Sequence, residues 1–318
     1  MAVYSPVTKN ELELFLNQYD IGKLIKFEGI LEGIENTNYK LTTSKDIFIL
    51  TIFEKRVQNK DLPFFINLKN HLIKKKFLCP LPIENKSGNC INFLNGKTCV
   101  IISYLKGTKT CIVSSHHCEQ VGRVLSSLHF YTTDFNEKRI NGMNYTQWEN
   151  IFLKCKSINS QKYQSLNTII EKELLYLKES WPKKLPEGIV HADVFQDNVF
   201  FINNNFSGLI DFYFSCYDFL SYDIALTVNA WCFENINNFS KDRFLSLIKG
   251  YQKIRILEDE EKKNLSTLSR GAALRILLTR LHDQLFHPKA AFVEPKDHYE
   301  YLKILKFHQK INVADYLL

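Results

Sequence analysis

The sequence lacks the features that mark membrane, fibrous or disordered proteins. It holds no apolar run near the ~18 residues that span a bilayer, and no internal repeat or low-complexity tract. Charge of one sign is scarce, because 41 basic and 34 acidic residues leave a net of +7 over 318 residues. This dilute charge suits an anionic small-molecule ligand and indicates neither a nucleic-acid nor a membrane partner. Composition and charge do not determine the oligomeric state. A 45% apolar content predicts a globular chain.

Closely spaced cysteines are also missing. The nearest two of the eight cysteines are seven positions apart, which excludes a Cys-x-x-Cys pair and zinc-ribbon spacing. We therefore expect reduced thiols, most of them buried. Residues 1–20 include Glu11, Glu13 and Asp20 and hold no continuous apolar segment of the kind found in signal peptides. A cytoplasmic location is the expectation.

The apolar pattern predicts an α+β fold. A capping box at Thr8 and Glu11 begins a helix, and strand patterns follow over residues 24–30, 37–42, 47–53, 90–94 and 98–105, with one helix over 62–76. Beyond Gly107, helical periodicity dominates, over residues 115–131, 145–156, 163–179, 221–233, 241–254, 258–286 and 295–308. We expect a small antiparallel β-rich N-terminal lobe over residues 1–105 and a larger, mainly helical C-terminal lobe over 106–318.

One segment of the helical half, residues 189–212, carries candidate catalytic groups. Asp193 precedes Asn198 by five positions and Asp211 by eighteen, and His191 stands two before Asp193. This is the kinase pattern His-x-Asp-x-x-x-x-Asn, followed by an Asp-Phe pair at Asp211. A loop carboxylate such as Asp193 can accept the proton of an attacking hydroxyl. Asn198 and Asp211 offer the hard oxygen ligands that Mg²⁺ prefers.

Two segments of the N-terminal half are candidates for binding the nucleotide. Asn36, Thr37 and Asn38 lie between two predicted strands, where a kinase places its phosphate-covering loop, and their side chains can replace missing glycines. A plain hairpin turn explains the same residues. Ser103, Tyr104 and Leu105 end the last predicted strand, where backbone groups can meet the adenine edge.

With these residues in place, the chain resembles the aminoglycoside phosphotransferase and choline kinase superfamily, and within it the bacterial type II homoserine kinases. The resemblance runs over nearly the whole chain. The matching stretches include residues 33–39, 62–65, 191–193, 197–201 and 208–214, and the more specific Asn229-Ala230-Trp231-Cys232-Phe233 and Arg270-Gly271-Ala272-Ala273-Leu274-Arg275.

The resemblance implies a protein-kinase-like, two-lobed fold with a nucleotide-binding N-terminal lobe. It implies transfer of the γ-phosphoryl group of MgATP to the hydroxyl of L-homoserine, a step of threonine biosynthesis. By the same resemblance, Asp193 is the catalytic base, Asn198 and Asp211 bind magnesium, and Ser103 to Leu105 form the adenine hinge. Two other interpretations stay open: a kinase of another alcohol (choline, an aminoglycoside or a sugar), and a nucleotide-binding pseudokinase.

The chain departs from the family pattern at one pair of charges. Members usually carry a lysine on the third strand, paired with a helix glutamate, but Thr51 stands at that strand position and residues 62–72 include no glutamate. Candidate substitutes are Lys40, Lys45, Lys55 and Arg56, each of which is also explained as a surface charge.

An amino-acid acceptor presents a carboxylate and an ammonium, for which an arginine and an acid are suitable partners. Arg275, between two apolar residues of a predicted helix, is the candidate for the carboxylate; a structural ion pair is the alternative. Asp218 and Asp223 are candidates for the ammonium. Asp223 can equally cap its helix or brace the catalytic loop.

Overall fold

The computed structural model describes residues 5–30, 36–54, 57–158, 160–234, 238–286 and 294–317. The chain divides into two compact units. The first unit includes the described residues up to Gly107 together with Ser207–Tyr213 and Glu294, and the second includes those of Thr108–Phe206, Phe214–Pro288 and Pro295–Leu318. The strands and helices of the two units confirm the predicted α+β class.

A sheet forms the centre of the first unit. The elements of this unit are helix α1 (Lys9–Leu16), strands β1 (Leu24–Ile30), β2 (Thr37–Thr43) and β3 (Ile47–Ile52), helix α2 (Leu62–Lys74), and strands β4 (Ile91–Leu94) and β5 (Lys97–Ser103). The antiparallel strands of the sheet run in the order β1-β2-β3-β5-β4. The predicted elements of this half are therefore confirmed to within two residues.

Sequence patterns explain this unit. Thr8 and Glu11 form the predicted capping box, in which the Thr8 hydroxyl accepts from the Glu11 N–H and the Glu11 carboxylate accepts from the Thr8 N–H. Alternation along β2 turns Tyr39 and Leu41 inward, where they join Leu50 and α1 residues such as Leu12 in one apolar core. Burial of this apolar face holds α1 on the sheet.

The second unit is mainly helical. Its elements are α3 (Ser115–Tyr131), α4 (Tyr145–Lys156), α5 (Gln164–Ser180), β6 (Glu187–Val190), β7 (Val199–Ile202), the start of β8 (Asn205–Leu209), β9 (Cys216–Phe219), α6 (Leu220–Trp231), β10 (Phe233–Glu234), β11 (Asn238–Phe239), α7 (Lys241–Gln252), α8 (Asp259–Leu285) and α9 (Tyr299–His308). The short strands β9, β10 and β11 are additional to the predicted elements, and α9 begins four residues later than predicted.

Within the described residues, no helix is both long and apolar enough to cross a membrane. The cysteines are free thiols, and six of them are buried: Cys79, Cys99, Cys118, Cys155, Cys216 and Cys232.

Two glycines let helices α3 and α7 cross in close contact. A Cβ atom placed on Gly122 would lie 1.9 Å from the Leu247 carbonyl oxygen, and one on Gly250 would lie 1.9 Å from the Glu119 carbonyl oxygen. Both obstacles are backbone atoms, so the helices themselves would have to separate.

We expect Gly250→Ala to destabilise the protein, because the added methyl group forces two packed helices apart. Overpacking of this kind costs about 1–3 kcal/mol, or more where backbone must move. Urea unfolding followed by far-UV circular dichroism measures the loss. Gly142→Ala is the matched control, since its Cβ would meet no atom closer than 3.7 Å. Equal stability of the two variants would contradict the prediction.

Candidate active site

The predicted catalytic loop lies in the second unit and begins where β6 ends. The Asn198 amide Nδ2 donates to the Asp193 carboxylate Oδ2 and to the Asp193 carbonyl oxygen, both at 2.8 Å. A turn over Gln196–Asn198 and the following strand β7 place Asn198 for these bonds. The two residues that the motif pairs are therefore in direct contact, and the Asp193 carboxylate is fixed in direction.

The backbone just before Asp193 is strained. Ala192 has φ +62°, a left-handed conformation that costs energy in a residue other than glycine. Asp223 of α6 holds it from one side, since its two carboxylate oxygens accept from the His191 N–H at 2.7 Å and the Ala192 N–H at 2.8 Å. Arg275 of α8 holds it from the other, donating from Nη1 to the Ala192 carbonyl oxygen at 3.0 Å.

These contacts change the expected roles of Asp223 and Arg275. Both side chains are almost fully buried and are used by the loop, so the structure favours the bracing alternative for Asp223 and the structural alternative for Arg275. Both side chains hold the backbone just before Asp193, and their contact with homoserine's ammonium and carboxylate stays an untested prediction.

A buried histidine supports Asp223 in turn. His129 of α3 lies between Asp223, at 3.1 Å from Nε2, and the Tyr251 hydroxyl, at 2.8 Å from Nδ1. Burial raises the pKa of Asp223, but the hydrogen bonds and charges of His129 and His191 together hold this pKa below its usual range. Asp223 is therefore an anion at neutral pH, and both of its carboxylate oxygens can accept hydrogen bonds from the loop N–H groups.

Residues of the two family-specific stretches, 229–233 and 270–275, lie around the catalytic loop and the helices behind it. The Trp231 indole N–H donates to the Val194 carbonyl oxygen at 2.8 Å, one residue after Asp193. Asn229 links two helices: its amide N–H donates to the Ser269 carbonyl oxygen at 2.8 Å, and its Oδ1 lies 2.7 Å from His308 Nε2. Burial, aided by the charge of Arg270, lowers the pKa of His308 to about 3. The His308 ring is therefore neutral at pH 7.

Asp218 differs from Asp223, because it lines a cavity. Its carboxylate accepts from the Asn141 amide at 2.6 Å and from the Phe219 N–H at 2.7 Å, and burial raises its pKa. The cavity has a volume of about 270 Å³. Asn141, Tyr145, Trp148, Trp181, Asp218 and Tyr222 line it. A carboxylate at the wall of a small, aromatic-lined cavity suits a ligand with a positive charge.

In the first unit, Asp211 has a basic neighbour that the sequence patterns did not reveal. Lys69 of α2 is only 3% exposed, and its ammonium lies 5.4 Å from the centre of the Tyr213 ring. Burial lowers the pKa of Lys69 to about 8, while the Cys79 thiol and Asp211 act in the opposite direction. A lysine on an exposed helix face looks the same in sequence, so only the packing of α2 identifies it.

The residues predicted to cover the phosphates are held by contacts within the first unit. The Thr37 hydroxyl is buried and donates to Glu54 Oε1 at 2.8 Å. Asn38 Oδ1 accepts from the Thr51 hydroxyl at 2.7 Å, and Asn36 Oδ1 accepts from the Glu54 N–H at 3.4 Å. Residues 31–35 of the same segment lie outside the described residues. Nucleotide contact by these side chains stays a prediction.

The predicted adenine hinge follows β5 directly. The Ser103 N–H donates to the Leu81 carbonyl oxygen at 2.8 Å and the Tyr104 N–H to the Ile47 carbonyl oxygen at 3.2 Å, which fixes the path of the segment. A Cβ atom on Gly208 would lie 2.5 Å from Leu105 Cδ1, so glycine at position 208 makes room for the Leu105 side chain. The role of Ser103 to Leu105 in adenine binding stays a prediction.

Two of the candidate substitutes for the strand lysine have other partners. The Lys40 ammonium lies 5.0 Å from the centre of the Tyr104 ring, and Lys45 pairs with Asp20 at 2.6 Å on the surface. Lys55 and Arg56 lie outside the described residues.

The donor chemistry of the loop fits a bound magnesium ion. Asn198 uses its Nδ2 atom for Asp193, which leaves the amide oxygen as the atom that can ligate a cation. Asp211 belongs to the first unit, and its role as a second oxygen ligand stays a prediction. No group of three or more His, Cys, Asp or Glu suited to a metal occurs in the described part of the chain. An ion held here therefore needs further ligands, such as phosphate oxygens and water.

Comparison with known proteins identifies the class of this chain. The model of the Phosphotransferase enzyme family matches residues 26–257. The chain therefore belongs to this family. Two solved structures have the same protein-kinase-like fold at 14% identity: an amicoumacin kinase, with TM-score 0.72 over 97% of this chain and 94% of that chain, and a spectinomycin phosphotransferase, with TM-score 0.69 over 98% of each.

Among curated proteins, the chain is similar to homoserine kinases over its full length. That of Agrobacterium fabrum (strain C58 / ATCC 33970) is 45% identical, over 99% of this chain and 98% of the relative. That of Parvibaculum lavamentivorans (strain DS-1) is 44% identical, over 98% of this chain and 97% of the relative. The predicted family resemblance is confirmed.

Proposed function

We propose that this chain is a cytoplasmic, ATP-dependent homoserine kinase that forms O-phospho-L-homoserine and ADP. The observation that carries the proposal is full-length similarity to homoserine kinases at 42–45% identity in a chain that keeps the Asp193 and Asn198 pair in hydrogen-bond contact. This similarity supports homoserine over choline, a sugar or an aminoglycoside as acceptor.

Asp193 is the proposed catalytic base. Its carboxylate accepts the proton of the homoserine hydroxyl while the hydroxyl oxygen bonds to the γ-phosphorus and the bond from that phosphorus to the ADP oxygen breaks. Asn198 keeps the carboxylate pointed at the acceptor. Asp223 and Arg275 hold the peptide that precedes it, so the base keeps its place through the reaction.

Asn198 and Asp211 are the proposed ligands of Mg²⁺, which, when bound, neutralises charge on the nucleotide phosphates. Asn36, Thr37 and Asn38 are proposed to shape the turn over the phosphates. Ser103, Tyr104 and Leu105 are proposed to contact the adenine through backbone groups.

Asp218 is the proposed partner of the homoserine ammonium. Of the three acceptor candidates, it is the one whose side chain lines a cavity, while Asp223 and Arg275 are used by the loop. Asp218 also lies on β9, opposite Gly188 of β6, and β6 leads directly into the catalytic loop.

We expect Asp218→Asn to raise the KM for L-homoserine about 10- to 100-fold, which is the worth of one hydrogen bond to a charged group. The KM for MgATP should stay within twofold of wild type. Steady-state kinetics with each substrate varied in turn gives both values. Glu187→Gln is the control, because this nearby carboxylate is exposed. An unchanged homoserine KM in Asp218→Asn would remove Asp218 from the acceptor site.

ADP release by the purified protein tests the proposed function. The assay uses MgATP with L-homoserine, choline, kanamycin, L-serine or L-threonine, and Asp193→Asn as the blank. Turnover with homoserine alone supports the proposal. Turnover with another alcohol keeps the reaction and overturns the acceptor. Nucleotide binding without turnover on any acceptor supports the pseudokinase.

A further inference from the structure

The first unit has no basic residue on β3, although kinases of this fold place a lysine on the third strand. Residue 51 of that strand is a buried threonine, and its hydroxyl donates to Asn38 Oδ1 of β2. The strand pairing also places residue 51 in the middle of the sheet, since Thr51 pairs with Asn38 of β2 on one side and with Val100 of β5 on the other. The strand position is therefore filled, and the missing lysine is a real feature of this chain.

Helix α2 supplies a buried cation instead. The butyl stem of Lys69 lies inside the unit, and its ammonium faces the Tyr213 ring, two residues after Asp211. That ring packs edge-on against Phe65, one helical turn before Lys69, with ring centres 5.5 Å apart, and against Phe53, at 5.1 Å. Aromatic packing on the Tyr213 ring therefore fixes the direction of the lysine.

Asp211 precedes Tyr213 by two residues, and its charge acts on this ammonium. The other electrostatic partners of Lys69 are the Cys79 and Cys90 thiols. Burial raises the pKa of both thiols, to about 12 for Cys79, so they are neutral at pH 7. A buried ammonium needs anions close by to offset the loss of water. A bound triphosphate beside the Asp-Phe pair would supply the additional negative charge.

We propose that Lys69 of helix α2 contacts the nucleotide phosphates in place of the strand lysine, with Asp211 and Tyr213 directing its ammonium. The proposal rests on the proposed function, since it assumes MgATP at this site. One residue then explains both departures from the family pattern. A cation on the helix makes a strand lysine unnecessary, and without that lysine a helix glutamate has no partner to hold.

Lys69→Met tests the proposal, because methionine keeps the apolar stem and removes the charge. We expect the KM for MgATP to rise about 10- to 100-fold, the worth of a charge-assisted contact to phosphate, with the KM for homoserine within twofold of wild type. Lys74→Met is the matched control, since Lys74 is an exposed lysine on the same helix. A folded Lys69→Met with wild-type MgATP kinetics would overturn the proposal, and so would an equal rise in both KM values.

Adding Thr51→Lys to Lys69→Met moves the ammonium back to the strand. We expect this double variant to regain at least a few-fold in MgATP affinity over Lys69→Met alone. A purely structural role for Lys69 predicts no such recovery, because a second buried substitution can only add to the damage. A double variant that binds MgATP no better than Lys69→Met therefore counts against the proposal.

A measurement on the wild-type protein avoids any folding defect of the variants. An acyl phosphate of ATP transfers its acyl group to a nearby lysine: the amine attacks the acyl carbonyl, the bond to the phosphate oxygen breaks, ATP leaves and the amine loses a proton. Peptide mass spectrometry should find Lys69 acylated, and excess MgATP should prevent it. Acylation at other lysines but not at Lys69 would overturn the proposal.

The same measurement separates this proposal from the proposed function. Acylation of Lys69 without turnover of homoserine keeps the phosphate contact and removes the acceptor. Turnover of homoserine without acylation of Lys69 that MgATP prevents overturns the phosphate contact and keeps the proposed function.

Discussion

Asp193→Asn should lower kcat for homoserine phosphorylation by about 10²- to 10⁴-fold, the range that a positioned general base contributes. The change removes only the capacity to take a proton. The Asn198 amide can still donate to the new side-chain oxygen, since the two groups are 2.8 Å apart and asparagine has the shape of aspartate. The loop should therefore keep its structure. Steady-state ADP release measures kcat, and thermal unfolding verifies the fold.

The control for this variant lies four residues along the same loop. Asp197 is exposed and pairs with Lys296 at 3.0 Å on the surface, an interaction worth under about 1 kcal/mol. Asp197→Asn should keep near-normal kcat. MgATP affinity should be similar in both variants and in wild type. Activity of Asp193→Asn close to that of Asp197→Asn would remove Asp193 from the proposed mechanism.

Asp223→Asn should destabilise the protein by about 3 kcal/mol and lower kcat as well. The carboxylate accepts from two backbone N–H groups of the catalytic loop, and one of its oxygens also lies beside His129. An asparagine has one oxygen for the two N–H donors and turns an NH₂ group toward the second, so a buried donor loses its acceptor. The strained backbone at Ala192 then loses one of the hydrogen bonds to Asp223 that stabilise it.

Two measurements distinguish this positioning role from a general loss of packing. Urea unfolding gives the change in stability, and kinetics well below the unfolding temperature give kcat and both KM values for the folded enzyme. We expect a lower kcat with both KM values within threefold of wild type, because Asp223 orients the base and contacts neither substrate. Asp242→Asn is the control, since Asp242 is an exposed carboxylate in the first turn of a neighbouring helix. Wild-type kcat in folded Asp223→Asn would contradict the role.

The local signals of the sequence predicted much of this structure. A capping box fixes where α1 begins, and short strand patterns bounded by turn residues give β1, β2 and β3 to within one residue. The motif spacing also singled out Asp193 and Asn198, which the structure brings into hydrogen-bond contact. Each of these signals depends on residues close together in the chain, where backbone geometry limits the outcomes.

Long-range packing set the limit of prediction. Lys69 follows Phe65 by one helical turn, and nothing in that spacing shows that Tyr213, far along the chain, would bury it. In the same way, the sequence leaves an acceptor role and a structural role open for Arg275, because its contact with Ala192 joins residues 83 positions apart. A charged residue in a helical pattern is as compatible with a surface as with a buried ion site. Only tertiary contacts decide between them.

The left-handed backbone at Ala192 also limits how the gene can vary. A single-nucleotide change turns an alanine codon into one for glycine, valine, threonine, serine, proline or an acidic residue. Branched side chains and proline are excluded by the φ of +62°, and an acid would place a second negative charge next to Asp193. Glycine adopts this φ freely. Drift at this codon should therefore run mainly among alanine, serine and glycine, even in lineages whose surfaces have diverged.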